Sequence, residues 1–219
     1  MMAHPAQSTV DPARGRRTSG TIGRTTALIG GPVFLLGTAL HPARDGQSVA
    51  AVGQLYGLTH DLQALGLVLQ AVSLVGILAS RVVTLGRRGP LGWYAAILGT
   101  LTWFGVIVFD GSHNPAVARY APEIVHTPAD LGAGGALLVL PALLLFPLGY
   151  AVLGVLLGRH GRGWPGLLLG LGAIVYTVGG LVVFVAGPHS PLIQSLEVVG
   201  AALYAAGYIA LAWTVRGMT

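Results

Sequence analysis

Six long apolar runs, separated by short polar stretches, take up most of the sequence and decide what it can fold into. They cover residues 25–40, 62–80, 91–109, 131–157, 167–186 and 192–215. Most of them approach the ~20 residues that a helix needs to cross the ~30 Å hydrocarbon core of a bilayer. The runs lack the alternation of polar and apolar residues that a membrane strand requires. They therefore predict an all-α polytopic membrane bundle of six transmembrane helices.

The composition excludes an ordinary water-soluble domain. Only 9% of the 219 residues are charged and 53% are hydrophobic, with a mean hydropathy of +0.74. A soluble domain carries about 25% charged residues, so this chain could not cover a water-facing surface. The chain has no cysteine, which excludes disulfides, thiolate metal sites and thiol nucleophiles.

The arginines predict an orientation. All twelve basic residues are arginine, and only Arg44 and Arg119 follow the odd-numbered runs. The others precede run 1, separate runs 2 and 3 or runs 4 and 5, or follow run 6. By the positive-inside rule, we expect a plasma-membrane protein with both termini in the cytoplasm. This placement explains the net charge of +5 without a nucleic-acid partner, because the chain has no folded polar domain to carry a DNA-binding surface.

The chain divides into a tail and a membrane domain. Residues 1–24 are polar and rich in Pro, Ser, Thr, Gly and Arg, which is typical of disorder. We expect a disordered basic cytoplasmic tail over residues 1–24 and a six-helix transmembrane domain over residues 25–216. With short loops, the six helices form three consecutive helical hairpins. The sequence leaves open whether these hairpins are true repeats.

A recurring pattern marks the outer turn of each hairpin. The first helix ends in a histidine close to a proline, at His41, His113 and His189. The second helix carries an acid at or near its start, at Asp61, Asp130 and Glu197. Helix ends favour proline and glycine in any case, and the positive end of a helix dipole favours carboxylates such as Asp61 and Asp130. The pattern therefore has a structural explanation as well as a functional one.

Glu197 differs from the other acids because it lies inside an apolar run, about 9 Å along the helix axis from Pro191 at 1.5 Å per residue. An ionisable group at such a position is costly and usually faces a cavity or a charged partner. We expect its partner to be His189, His60 or Asp61.

These groups together predict one polar site on the extracytoplasmic side. Imidazole and carboxylate are ligands of zinc, iron and copper. The candidate metal ligands are His41, His60, His113, His126 and His189. The candidate catalytic acids are Asp61, Asp110 and Glu197.

The predicted function is binding or conversion of a small lipophilic or metal-bound ligand at this site, within the lipid bilayer. One alternative is an acid–base cyclase or isomerase of a prenyl-type substrate, which Glu197 or Asp110 would protonate. Another is a proton-coupled small-molecule transporter or a membrane sensor subunit that responds through histidine titration. A third is the handling of a quinone, or of haem b held near one surface by histidines. The sequence does not decide whether the protein is an enzyme, and it names no substrate, cofactor or oligomeric state.

Overall fold

The fold consists of six long helices. The computed structural model describes residues 11–216, apart from the side chains of residues 128–131 and 133–134. The helices are α1 (Pro12–Ala39), α2 (Gly46–Ser80), α3 (Gly89–Ala118), α4 (Pro128–Arg159), α5 (Gly163–Ala186) and α6 (Leu192–Val215). A single 3-10 turn at Pro122–Ile124 precedes α4. No strand occurs in residues 11–216, so the all-α prediction is confirmed.

The helices form a closed ring. Each packs against its neighbours in the sequence, and α6 returns to pack against α1. The most extensive contacts lie within the pairs α1–α2, α3–α4 and α5–α6, which are the three predicted hairpins. We call the end at which α1 begins and α6 ends the arginine end, and the opposite end the histidine end.

Five of the six helices are long and apolar enough to cross a membrane, namely all except α1. The outer surface of the ring agrees with this, because large apolar side chains face outward along its length. Leu91, Leu137, Leu144 and Val185 are all more than 60% exposed. A water-soluble protein does not present so continuous an apolar surface. The chain is therefore a helical membrane protein.

The first helix begins earlier than the sequence predicts. Pro12 occupies its first turn, and the Asp11 side chain accepts a hydrogen bond from the Ala13 N–H at 2.9 Å, a favourable start for a helix. Gly23 lies so close to α2 that a Cβ there would stand 2.7 Å from the Ile77 nitrogen. Residues 12–24 are thus helical and partly packed on α2, and the prediction of disorder is wrong for them. Residues 1–10 of the predicted tail lie outside the described residues.

Two other helices extend further toward the histidine end than the apolar runs indicate. Helix α2 begins at Gly46 instead of residue 62 and is kinked at Val52; Asp45 caps its start by accepting a hydrogen bond from the Ser48 N–H at 3.0 Å. Helix α3 continues past Phe109 to Ala118. Asp110 therefore lies on a helix rather than in a loop, and Asp61 lies inside α2 rather than at its start.

The centre of the ring is aromatic. Trp103, Phe146, Tyr176 and Tyr204 pack edge-to-face or stacked, with ring centroids 5.2–6.4 Å apart where they meet. Tyr150 joins this core and lies 2.6 Å from each of two hydroxyl groups, those of Thr100 and Tyr208. These contacts fix the relative positions of α3, α4, α5 and α6, on which the polar groups of the histidine end depend.

Candidate functional site

Asp110 is the centre of a buried polar cluster at the histidine end. Its carboxylate accepts a hydrogen bond from the Tyr56 hydroxyl at 3.0 Å and lies 2.9 Å from His60 Nε2. The Asn114 amide, one turn later on α3, also donates to it. Because helical residues four apart share a face, Asp110 and Asn114 point the same way, into the ring.

Arg44 reaches the same place from the loop between α1 and α2. Its guanidinium forms a buried salt bridge with Glu197 of α6, and a second one with Asp110 at 3.5 Å. Arg44 and Glu197 are only 8% and 2% exposed. Burial by itself would lower the pKa of Arg44, but the charge of Glu197 outweighs it and the pKa is raised. The guanidinium therefore stays charged.

His126 ties the loop before α4 to this cluster. Its Nδ1 lies 2.8 Å from the Arg44 carbonyl oxygen, and its Nε2 lies 2.8 Å from the Asn114 amide and 3.2 Å from Asp110. The His126 backbone has φ of +59°, a conformation that costs a residue with a side chain about 1–2 kcal/mol. These contacts hold it there. We call Arg44, Tyr56, His60, Asp110, Asn114, His126 and Glu197 the Arg44 cluster.

The contacts of the two His60 ring nitrogens require one proton more than a neutral histidine and an ionised Asp110 hold together. Its Nδ1 lies 2.8 Å from the Tyr56 carbonyl oxygen, which can only accept, so Nδ1 carries a hydrogen. Its Nε2 faces a carboxylate oxygen of Asp110, although a neutral imidazole has only one N–H. The His60–Asp110 pair must therefore hold one proton more than a neutral histidine beside an ionised carboxylate, which makes the pair neutral overall.

Two titratable groups beside the cluster have shifted pKa values. Burial is the main reason that the pKa of His41 lies well below its usual value of 6.5, and the charge of Arg44 lowers it further. The His41 ring packs edge-on against Tyr56 and His60, each at 4.8 Å between centroids. The pKa of Asp45 is lowered by its hydrogen bonds with Ser48, as expected of a helix cap. His41 is therefore neutral near pH 7 and Asp45 is ionised.

A cavity of about 80 Å³ adjoins the Arg44 cluster. By the same measure one water needs about 10–15 Å³, so the cavity takes several waters or one small ring. Its polar wall consists of five members of the cluster. Its remaining wall comes from α3, α4 and α5 and is apolar or aromatic, consisting of Trp103, Val106, Ile107, Phe109, Val139, Leu143, Tyr176, Gly180, Val183 and Phe184.

The structure brings together five of the eight predicted site residues. Asp110, Glu197, His60 and His126 belong to the Arg44 cluster, and His41 packs against it. The other three lie elsewhere. Asp61 follows His60 on α2, but successive helical residues point about 100° apart, and its side chain is exposed.

The two remaining histidines lie away from the cluster centre. His189 has an 80% exposed side chain and lies 3.9 Å from Asp45 at the rim. His113 is half-buried and stacks on Phe109, with ring centroids 4.6 Å apart. The three histidine–proline turns are therefore not equivalent corners of one site.

The expected partner of Glu197 is wrong. The sequence pointed to His189, His60 or Asp61, whereas the carboxylate pairs with Arg44. Tyr56 and Asn114 were also missed, because neither residue type suggests a site by itself. Arg44 did carry a signal, since it is one of only two arginines on the arginine-poor side.

Among the residues that the structure describes, no three histidine or acidic side chains are arranged to hold a metal ion. His60 and His126 both approach Asp110 through Nε2, and these contacts read as hydrogen bonds to the carboxylate. Zinc, iron, copper and haem b stay untested predictions, which metal analysis and an absorption spectrum of the purified protein would decide.

The geometry defines a class of protein: a helical membrane protein with charged and histidine side chains buried inside its ring, next to an amphipathic cavity. No family model, curated protein or solved structure matches the chain. The cavity and the Arg44 cluster are therefore the features from which a function can be inferred.

Proposed function

We propose that this protein binds a small lipophilic ligand in the cavity, with the polar end of the ligand against the Arg44 cluster. The observation that carries this proposal is the amphipathic wall of the cavity, which joins apolar side chains of α3, α4 and α5 to Arg44, Asp110 and Glu197. Ligand sites are typically apolar pockets with a few polar groups that orient the ligand.

The cost of burying these charges supports a binding role. Ionisable groups inside a membrane bundle are expensive and usually line a substrate or ion path. A salt bridge of this kind adds little stability compared with apolar residues of the same size. If these charged groups served only to pack the helices together, they would have no reason to lie beside a cavity.

Filling the cavity tests the proposal. A Cβ on Gly180 would have only ordinary contacts, at 3.7 Å from Trp103 and 3.9 Å from Glu197, so Gly180→Leu adds its side chain to the cavity. Gly158→Leu is the matched control, because Gly158 lies at the arginine end of α4 with open space around it. Lipophilic compounds that co-purify with the unaltered protein, measured by mass spectrometry, should be lost in Gly180→Leu and retained in Gly158→Leu. The same lipophile content in all three proteins would refute the proposal.

A second candidate is acid–base conversion of the ligand, and a specific observation favours it. Asp110 and Glu197 both line the cavity, and the His60–Asp110 pair holds an added proton next to it. In this case Glu197→Gln should abolish turnover while co-purification of the ligand continues. Full turnover in Glu197→Gln would exclude Glu197 as the base that accepts a proton while the His60–Asp110 pair donates one.

We also propose that the histidine end faces outward across the plasma membrane and that both termini are cytoplasmic. The asymmetry of the arginines supports this orientation. The chain has no cysteine, so single cysteines can report it. A membrane-impermeant maleimide added to intact cells should label Tyr120→Cys, whose position is 90% exposed at the histidine end, and not Arg87→Cys. The opposite labelling would reverse the orientation.

A further inference from the structure

Two residues that line the cavity, Trp103 and Arg44, each carry a buried N–H donor without an acceptor in good geometry. Trp103 is only 4% exposed, and its Nε1 lies near the Tyr176 hydroxyl but makes no hydrogen bond of ordinary geometry within the protein. Its ring packs on Tyr176 at 5.7 Å between centroids. Arg44 uses its two terminal nitrogens for Glu197 and Asp110, while its Nε is also buried without a partner. A buried donor without an acceptor is costly, so two of them beside one cavity indicate that something else supplies the acceptor.

The charges of the Arg44 cluster are balanced once His126 is neutral, at a pH above its raised pKa. Glu197 offsets Arg44, and the proton shared by His60 and Asp110 offsets the second carboxylate. No positive charge of Arg44 is left for an anionic ligand. The carboxylates on the wall would also repel an anion across a medium of low dielectric constant. The occupant of the cavity should therefore be uncharged.

The cavity also suits a compact polar group with an apolar extension. Its volume of about 80 Å³ suits one small ring or a few atoms around a carbonyl group. Phe184 forms part of its wall and is 41% exposed on the outer surface of the ring of helices. An apolar chain can pass along this side toward the lipid.

From these observations, and resting on the proposed binding function, we propose that the ligand is a neutral lipophile that presents a carbonyl oxygen, such as a quinone or a ketone. Its oxygen accepts hydrogen bonds from the Trp103 Nε1–H and the Arg44 Nε–H. Its apolar part lies between α3, α4 and α5. Binding is reversible and involves no covalent step.

Three tritiated probes test this ligand class with the full chain in lipid nanodiscs. They are a short-chain alkyl-1,4-benzoquinone, the alkylbenzene of the same chain length and the corresponding alkylbenzoate. We expect the quinone to bind about tenfold more tightly than the alkylbenzene, the difference that one or two hydrogen bonds supply. The alkylbenzoate should bind no more tightly than the alkylbenzene.

A matched pair of variants assigns the effect to the indole N–H. Trp103→Phe keeps an aromatic ring and removes one of the two donors, so the affinity for the quinone should fall about threefold while that for the alkylbenzene stays unchanged. Trp93→Phe is the control, because Trp93 is equally buried on α3 and is absent from the cavity wall. It should leave both affinities unchanged.

The outcomes separate this inference from the function on which it rests. Equal affinities for quinone and alkylbenzene, both abolished by Gly180→Leu, would overturn carbonyl recognition and leave lipophile binding intact. Tighter binding of the alkylbenzoate would overturn the neutral ligand. Failure of every probe to bind, together with an unchanged lipophile content in Gly180→Leu, would overturn the proposed function itself.

Discussion

The guanidinium of Arg44 forms a salt bridge with the carboxylate of Glu197, 153 positions further along the chain. It joins the first inter-helix loop to the last helix, and Asp110 of α3 is its second partner. One side chain thus links three parts of the ring at the histidine end. Its removal would leave the Glu197 carboxylate buried without its cation.

Arg44→Met should therefore be strongly destabilising. Removing one member of a buried ion pair costs about 3–5 kcal/mol, because the remaining charge stays buried and uncompensated. Arg119→Met is the control, since Arg119 is exposed at the same end. The measurement is the free energy of unfolding in mixed micelles of increasing denaturing-detergent fraction.

A double variant provides a second test of the ion pair between Arg44 and Glu197. The double variant Arg44→Met with Glu197→Gln should lose less than the sum of the two single losses, because both variants remove the same interaction. Additive losses, or equal effects of Arg44→Met and Arg119→Met, would contradict the buried ion pair.

Gly111→Ala should displace His60. A Cβ at Gly111 would overlap the Cβ of His60, which belongs to the facing helix α2. Gly57→Ala is the matched control, because its nearest atom outside its own turn is the Gly111 oxygen, at 3.7 Å. An alanine in place of a helical glycine stabilises by up to about 1 kcal/mol when nothing clashes. Gly57→Ala should thus raise the midpoint of thermal unfolding, and Gly111→Ala should lower it. A rise in both variants would mean that α2 and α3 lie further apart than they do in the structure.

The stability that His126 contributes should decrease as the pH rises. Burial would lower its pKa, but the charge of Asp110 and its hydrogen bond outweigh burial and raise the pKa above 6.5. A histidine with a raised folded-state pKa contributes its full stability below the unfolded value of about 6.5, and loses it as the pH rises through the folded value.

His126→Asn removes this titration and suits the backbone, since asparagine tolerates a positive φ. The difference in unfolding free energy between the unaltered protein and His126→Asn should be largest below about pH 6.5 and shrink above it. The difference also cancels the opposing contribution of His41, whose pKa is lowered. A difference that grows with pH would contradict the raised pKa.

Tyr150→Phe should destabilise the centre of the ring. The Tyr150 hydroxyl lies 2.6 Å from both Thr100 and Tyr208, so the variant removes two buried hydrogen bonds at a cost of about 1–3 kcal/mol. Tyr94→Phe is the control, because Tyr94 is 61% exposed and its loss should fall within about 0.5 kcal/mol. The losses of stability of the two variants are compared by thermal unfolding in the same detergent.

The sequence predicted the helices well and their ends poorly. Apolar runs reveal where a helix must face lipid, so the number, order and hairpin pairing of the helices followed from them. They do not reveal a helix that continues among polar partners. Residues 46–61 of α2 include Gln54, His60 and Asp61, and they form a helix because Asp45 caps it and Tyr56 and His60 are buried against α3.

The candidate site was predictable in part for the same reason. Asp110, His60 and Glu197 stood out as ionisable groups in or beside apolar runs, and the structure brings them together. The pairing of Arg44 with Glu197 depends on how α1 and α6 meet, which no local pattern encodes. His126 adopts a positive φ only because tertiary contacts impose it, so its position could not follow from sequence.

The closure of the ring between α1 and α6 sets an order on the assembly of the protein. Chains are synthesised from the N-terminus, and domains form as their parts emerge. Arg44 is therefore synthesised, together with Asp110, before its partner Glu197 on α6 exists. Until Leu192–Val215 is inserted, the growing bundle has an open seam and an arginine without Glu197. The last helix made is thus the one that completes both the wall of the ring and the charge balance within it.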